Sequence, residues 1–339
     1  MLKLFDSKVA PILTYGSEIW APYMDHDWKN WDSTPIERTH TQFLKRLLGV
    51  NRSTTNVMVR AEMGRHSLQE RILKRNLNFI FYASMKNPAS LVHQALTYEE
   101  AKKDERRTIF SLYQRHENLA NFITTENPQN QQTQENQITQ NQVLQNNHED
   151  NSEGVTEKIR SMLTPKINKN IREYFDSEWH KQLSTFEKTD CFREIKKTVT
   201  FEKYLTNIRS RKHRVTLSKF RLSDHTLMIE EGRHFRPKVP RERRFCPHCP
   251  NVVEDELHFL TQCTAYDRAS LLHLFTVTYP NFAQLQNKNK FIFMLSQEND
   301  TLTVELANNI HTWMMHRLNI KISQQEDLVR YILVFAHEG

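Results

Sequence analysis

The sequence predicts a mainly α-helical fold built from one or more helical bundles. Its 339 residues include only 6 glycines and 11 prolines, too few for a doubly wound α/β fold or a β protein rich in glycine turns. Apolar residues recur at helical spacing in several segments, and helix-capping residues precede some of them. At 38% hydrophobic the chain can bury a substantial core, and its length indicates two or three folding units.

The N-terminal part predicts a series of capped helices. Thr34 is a candidate N-cap, Glu37 is placed to complete a capping box, and Gly49 stands where that helix should end. A second helix is predicted to run to Gly64, and a second capping box, Ser67–Glu70, opens the next. We therefore expect a helical domain over residues 1–123, with its apolar stripes in the core.

A polar segment follows this domain. Gln or Asn occupies thirteen of the nineteen positions from Gln129 to Asn147. Such a segment buries too little apolar surface to offset the entropy of an ordered chain. Residues 124–155 are therefore predicted to be a disordered linker, either an insertion within one architecture or a boundary between two domains.

The remainder of the chain again predicts helices. One helical stretch is expected to break at Pro165, within a helical and basic region that we place at residues 156–245. Residues 264–339 predict C-terminal helices, the last of them opened by the capping box Ser323–Glu326.

A basic tract lies between Arg209 and Arg244, and it contains twelve Lys or Arg residues but only four acidic residues. The whole chain has a net charge of +7, which fits an anionic partner. Arginine clusters of this kind bind phosphate backbones, and the interleaved Phe220, His234, Phe235 and Phe245 are candidates to stack on unpaired bases. The alternative is a solvated charged face over an ordinary aromatic core. The candidate nucleic-acid-binding residues are Arg209, Arg211, Lys212, Arg214, Lys219, Arg221, Arg233, Arg241, Arg243 and Arg244.

Three of the four cysteines lie in one short window, residues 246–263, with the sequence CPHCPNVVEDELHFLTQC. Cys246, Cys249, His258 and Cys263 form the pattern C-x2-C-x8-H-x4-C. Four ligands of the types that Zn²⁺ prefers fill a tetrahedral site completely, so the pattern predicts a structural zinc knuckle and not a catalytic zinc. The alternative is three buried free thiols. His248 is the spare donor, and Cys191 is interpreted as a core residue.

No segment predicts export or membrane insertion. The first twenty residues contain acids and a proline where a secretory signal needs an unbroken apolar run, and no run reaches transmembrane length. We therefore expect an intracellular protein of the nucleus or cytoplasm with no membrane partner. Thiols stay reduced there, which favours a metal site over disulfides.

Two blocks of the sequence, roughly residues 1–86 and 201–275, resemble non-LTR (LINE-type) retrotransposon reverse transcriptases in matching order. VAPILTYGSEIWAPY, IERTHTQFLKRLLGV and EMGRHSL resemble the segment just after the polymerase palm, which corresponds to the thumb. The stretch from LSKFRLSDHTLMIEEGRHFRPK to the knuckle, with TAYDRASLLHLF after it, resembles the family's C-terminal region. The resemblance implies a thumb-like helical domain, and its CCHC ligands fall on the same four residues chosen by spacing.

The resemblance also implies contact with template RNA or target DNA, mostly through the phosphate backbone. The family's basic stretch falls on Lys219, Arg221, Arg233 and Arg244. The paired aspartates of the polymerase are absent, because no YADD-like or FADD-like sequence occurs, and no Pro-Asp pair of a restriction-like nuclease is present. We therefore expect no polymerase or nuclease activity, and a chain equivalent to the C-terminal part of such an element.

Two other classes compete with a nucleic-acid-binding module. The knuckle and helices can instead dock a partner protein, with the arginines as a solvated face. The chain can also be a decayed copy of an element without a selected function. An enzyme is disfavoured, since Glu256 and His258 resemble a metal-hydrolase helix only superficially and the paired histidines are missing.

Overall fold

The computed structural model describes residues 1–21, 30–102 and 152–337, and the side chains of these residues apart from 152–164, 166–167 and 320–337. This part of the chain is mainly helical, which confirms the predicted fold class. Extended pairing within it is limited to two isolated bridges, Met63 with Phe201 and Phe245 with Val253. None of its helices combines the length and apolar character needed to cross a bilayer.

The helices are numbered in chain order. They are α1 (Leu2–Leu4), α2 (Ala10–Leu13), α3 (Ser17–Trp20), α4 (Pro35–Leu48), α5 (Asn56–Glu62), α6 (Leu68–Ser84), α7 (Leu91–Ala101), α8 (Ser152–Ser184), α9 (Asp190–Ile195), α10 (Tyr204–Asn207), α11 (Arg211–Arg221), α12 (Met228–Glu231), α13 (Glu256–Thr261), α14 (Ala269–Thr278), α15 (Asn287–Leu295) and α16 (Asp300–His337). A π-helical turn lies at Phe5–Val9, and 3-10 turns lie at Trp31–Ser33, Glu187–Thr189, Arg241–Arg243 and Pro280–Gln284.

The chain forms two compact units. The first comprises Met1–His40 and His66–Lys181, and the second comprises Thr41–Arg65 and Gln182–Gly339. The predicted domain boundaries at residues 123, 155, 245 and 263 stay predictions. Most of the predicted linker, 124–151, lies outside the described residues, and its last four residues belong to α8.

A buried carboxylate organises the first unit. The N–H of Glu37 donates to the Thr34 hydroxyl (3.2 Å), which confirms Thr34 as the cap of α4. The Glu37 carboxylate accepts hydrogen bonds from the Trp31 indole and from the Leu68 N–H at the start of α6, both at 2.8 Å. It also contacts His40 at 3.1 Å. Glu37 therefore joins two helix starts. The predicted capping box is not completed, because the Thr34 N–H donates to the Trp31 carbonyl (3.0 Å) and not to Glu37.

A buried ion pair joins the two segments of the second unit. Arg221 on α11 donates from Nε to Glu62 on α5 (2.6 Å) and pairs with Glu202 through Nη2 (3.1 Å). The Tyr204 hydroxyl donates to the same Glu62 carboxylate (2.7 Å). Arg221 also donates to the Leu295 carbonyl. Glu62 is fully buried, so its charge depends on these partners.

Two sequence predictions about helix ends were wrong. α8 runs through Pro165 without a break, because a proline removes one hydrogen bond of a helix and the bonds on either side of it can persist. Ser323 lies inside α16, so the two predicted C-terminal helices are one. Ser67 does precede α6, as predicted, although its side chain does not cap that helix.

Gly64→Ala is expected to destabilise the second unit strongly. Gly64 has φ +64°, and a Cβ there would lie 2.3 Å from the backbone nitrogen of Phe201, which cannot move without disturbing the Met63 bridge. Gly16 has nearly the same φ, +62°, but its nearest neighbour would lie 3.8 Å away. Urea unfolding should show a loss of about 1–2 kcal/mol for Gly16→Ala and a clearly larger loss for Gly64→Ala. Equal losses would contradict the steric argument.

Candidate metal centre

The knuckle begins with a tight turn that places two sulfurs together. The Cys246 N–H donates to the Val252 carbonyl (2.7 Å), and the Val252 N–H donates back to the Cys249 carbonyl (3.3 Å). Asn251 completes the turn with φ +60°, a left-handed conformation that Asn tolerates. The backbone N–H of His248 points at the Cys246 sulfur (3.5 Å). Backbone pairing therefore fixes the C-x2-C segment.

Helix α13 carries the third ligand, His258, and the fourth, Cys263, follows the end of the helix. Asp255 caps it, because its carboxylate accepts the His258 N–H (2.7 Å), as expected for a good N-cap residue. The Cys263 N–H donates to the His258 carbonyl (2.8 Å) where the helix ends. The helix ends at Thr261, and Cys263 lies two residues further along the chain, close to His258.

Arg268 anchors the C-terminal end of α13. Its guanidinium donates to the carbonyls of Phe259 (2.7 Å), Leu260 (2.9 Å) and Tyr266 (2.8 Å), and to that of Cys263. A cation at this end of a helix also interacts favourably with the helix dipole. The sequence analysis missed Arg268. A cationic residue shortly after the last ligand is a signal, but it does not reveal which carbonyls the residue reaches.

The four predicted ligands converge in the structure. Cys246, Cys249, His258 and Cys263 are all buried, and their donor atoms lie within 4.8 Å of one another. The Cys263 sulfur is 3.7 Å from that of Cys246 and 3.9 Å from that of Cys249. A tetrahedral Zn²⁺ with Zn–S bonds of about 2.3 Å separates its sulfurs by about 3.8 Å, whereas a disulfide needs about 2.05 Å. All three cysteines are free thiols.

The donor chemistry also fits a cation. Both ring nitrogens of His258 are buried, and neither has a hydrogen-bond partner among the described residues. Burial raises the pKa of Cys263 to about 12 and also raises the pKa of Cys246, so a neighbouring positive charge is needed to hold their thiolates. A hydrogen bond with Thr264 lowers the pKa of Cys249. The cluster could therefore hold a metal ion.

The remaining predicted residues of this region lie outside the cluster. His248 is half-buried, and its ring meets the edge of Tyr266 at 6.4 Å. Cys191 is partly buried and is not one of the four clustered residues.

The knuckle is fixed to α16 by a charged pair and an aromatic cluster. Arg317 binds the Glu254 carboxylate through two hydrogen bonds of 2.7 and 2.6 Å, and both side chains are buried. The Tyr266 ring stacks on Trp313 at 5.8 Å, and Phe259 meets both rings. Bidentate Arg–carboxylate pairs are geometrically specific. The knuckle is therefore an integral part of the second unit.

The ten candidate nucleic-acid-binding residues separate by exposure. Arg221 lies in the core with Glu62, and Arg244 is also buried, with its guanidinium on the carbonyls of Val239 (3.0 Å) and Ile229 (2.8 Å). Their burial removes both from the surface that a phosphate backbone can reach. Three are half-buried, namely Arg214, Lys219 and Arg233, and five are exposed, namely Arg209, Arg211, Lys212, Arg241 and Arg243.

The exposed residues before the knuckle form a basic loop, defined as residues 233–243. Two hydrogen bonds hold the base of this loop. The Arg244 guanidinium donates to the Val239 carbonyl, and the Val239 N–H donates to the Gly232 carbonyl (3.0 Å). The loop exposes two cations that the candidate set omits, Arg236 and Lys238, although the basic composition of the tract includes both. Of the interleaved aromatic residues, Phe235 and Phe245 are 45% and 40% exposed, whereas Phe220 is fully buried.

A search of protein-family models, of curated proteins and of solved structures found no match to this chain. The resemblance to LINE-type reverse transcriptases therefore stays a prediction that depends on the motifs of the sequence.

Proposed function

We propose that the second unit is a non-catalytic nucleic-acid-binding module whose basic loop grips the phosphate backbone beside a structural Zn²⁺ site. The observation that carries the proposal is the exposure of four cations on a loop whose base is fixed. Arg236, Lys238, Arg241 and Arg243 are exposed on the basic loop, which contains one acid, Glu242. None of the four takes part in an ion pair within the described part of the chain, whereas Arg233 beside them pairs with Glu230 (3.3 Å).

Unpaired exposed cations on a fixed loop favour the binding of a polyanion. Each can neutralise a phosphate and release condensed counterions without first breaking an ion pair within the protein. Two exposed aromatic side chains, Phe235 and Phe245, flank the cations and offer faces for unpaired bases. The ligand is therefore proposed to be RNA or DNA bound mainly through its backbone, with little sequence preference.

The metal has a structural role in this proposal. Its ligands would be Cys246, Cys249, His258 and Cys263, which fill four positions and leave none open for a reacting water. A bound Zn²⁺ would cross-link the turn that carries Cys246 and Cys249 to α13. The Glu254 N–H donates to the Arg244 carbonyl (2.8 Å), so the segment between the ligand pairs is tied directly to the base of the basic loop.

The proposal predicts a steep dependence of binding on salt. Titration of labelled oligouridylate and oligothymidylate by fluorescence anisotropy should show affinity falling as salt rises. The double variant Arg241→Ala/Arg243→Ala should lower the slope of log K against log salt by about 1.4, near 0.7 per lost phosphate contact on a single strand.

The matched control removes two exposed lysines from the first unit. Lys169→Ala/Lys181→Ala changes the net charge equally, and both lysines pair with glutamates in the structure. It should leave the slope within experimental error. A folded, metal-loaded protein that binds no oligonucleotide at low salt would refute the proposal and favour a protein-docking module. Equal effects of the two double variants would show a response to net charge alone.

A further inference from the structure

Two histidines meet where α11 packs against α16. The ring centroids of His213 on α11 and His311 on α16 are 4.9 Å apart, with an interplanar angle of 44°. Both side chains are partly exposed. Neither belongs to the metal site or to the basic loop, so the proposed function does not account for the pair.

A neighbouring hydroxyl fixes which nitrogen of His311 can take up a proton. The Thr216 hydroxyl lies 2.9 Å from the Lys212 carbonyl and 2.9 Å from Nδ1 of His311. A hydroxyl has one proton, and the carbonyl can only accept, so the Thr216 proton goes to the carbonyl. His311 must then donate from Nδ1, and its Nε2 is the nitrogen left to accept a proton.

The surroundings of the pair are cationic. Lys212 on α11 is exposed, and so are Arg209 and Arg211. None of these three takes part in an ion pair within the described residues, although nearby Lys203 pairs with Glu298 (2.5 Å). Burial, then His213, then Lys212 lower the pKa of His311. The side chains of α11 that act on His311 are thus His213 and Lys212.

We propose that a backbone phosphate of bound nucleic acid lies at the His213–His311 pair and accepts a hydrogen bond from protonated Nε2 of His311. This inference rests on the proposed function and adds a second phosphate contact, one that depends on pH. The unpaired cations Arg209, Arg211 and Lys212 hold the strand there, and the bound phosphate supplies the negative charge that the pair lacks.

The sign of the pH dependence follows from linkage. In the free protein burial, then His213 and Lys212, keep the pKa of His311 below its ordinary value, so the neutral ring predominates near pH 7. A phosphate beside the ring favours the charged form and raises this pKa in the complex. Binding therefore takes up a proton, and affinity increases as pH falls through the range between the two pKa values.

The test compares oligothymidylate affinity at about pH 6 and about pH 7.5 at constant ionic strength, a range that spans the ordinary histidine pKa of about 6.5. The wild type should bind about fivefold tighter at the lower pH. His213→Gln/His311→Gln should keep the affinity at the higher pH and lose most of this increase. Metal content measured at both pH values shows whether the knuckle keeps its metal.

The control is His234→Gln, because His234 is an exposed histidine of the basic loop that is proposed to hold the strand. This variant should retain the pH response. A response that persists in the double variant and disappears in His234→Gln would overturn the inference while leaving the proposed function intact. If no oligonucleotide bound at either pH, this inference and the proposed function would both be refuted.

A direct readout is the NMR titration of the His311 ring. Oligothymidylate should raise its pKa, and inorganic phosphate at the same phosphate concentration should not. An unchanged pKa in the complex, or an equal rise with inorganic phosphate, would overturn the assignment of a nucleic-acid phosphate.

Discussion

Cys263→Ser is expected to abolish metal binding and to lower the thermal stability of the second unit. Cys263 is the sulfur shared by both short sulfur–sulfur distances, and it follows the helix that presents His258. Structural Zn²⁺ sites contribute binding free energies on the order of 10 kcal/mol or more to the local fold. Elemental analysis should give one zinc per wild-type chain and none in the variant, and calorimetry should show an earlier unfolding transition.

The matched control is Cys191→Ser, which changes a cysteine of the same unit that lies outside the cluster. It should keep one zinc and the wild-type affinity for nucleic acid. A chelator should reproduce the effect of Cys263→Ser on the wild type and have no further effect on the variant. Wild-type protein that folds without metal and shows no shift with chelator would mean that the three thiols are ordinary core residues.

Arg221→Met is expected to destabilise the second unit by about 3–5 kcal/mol, because it leaves the buried charge of Glu62 without its main partner. The double variant Glu62→Gln/Arg221→Met should recover part of this loss, since it removes both charges. Urea unfolding measures each value. Lys203→Met breaks an exposed ion pair with Glu298 and should leave the midpoint unchanged.

The Arg221 prediction also separates two roles of an arginine. If Arg221 bound phosphate, as the sequence analysis predicted, its loss would lower nucleic-acid affinity at unchanged stability. The structure predicts the opposite pattern, with lower stability and with salt-dependent binding kept wherever the protein stays folded. A stability equal to that of the wild type would contradict the burial of the pair.

The metal cluster was predictable from sequence because its determinants are local. Cys246 and Cys249 lie on one turn, and Cys263 follows the short helix that carries His258, so spacing along the chain nearly fixes spacing in space. The cap of α4 was predictable for the same reason, since it depends on a side chain three residues from its partner.

The exposure of the arginines was not predictable, because it depends on partners distant in sequence. Glu62 and Arg221 are 159 residues apart, and nothing near Arg221 in the chain indicates a buried acid. Arg244 differs from exposed Arg243 by one position, but its guanidinium donates to the carbonyls of Val239 and Ile229. Composition therefore located the basic tract, and tertiary packing decided which of its members face the solvent.

The two-segment construction of the second unit constrains how the chain can fold during synthesis. When α5 leaves the ribosome, Arg221, the partner of the Glu62 carboxylate, has not been made, and at about 5–20 residues per second it follows only after about 8–30 s. α16, which holds the knuckle through Arg317, comes later still. During that interval the apolar face of α5 lacks the segments against which it packs. We therefore expect this early segment to bind a chaperone on the ribosome.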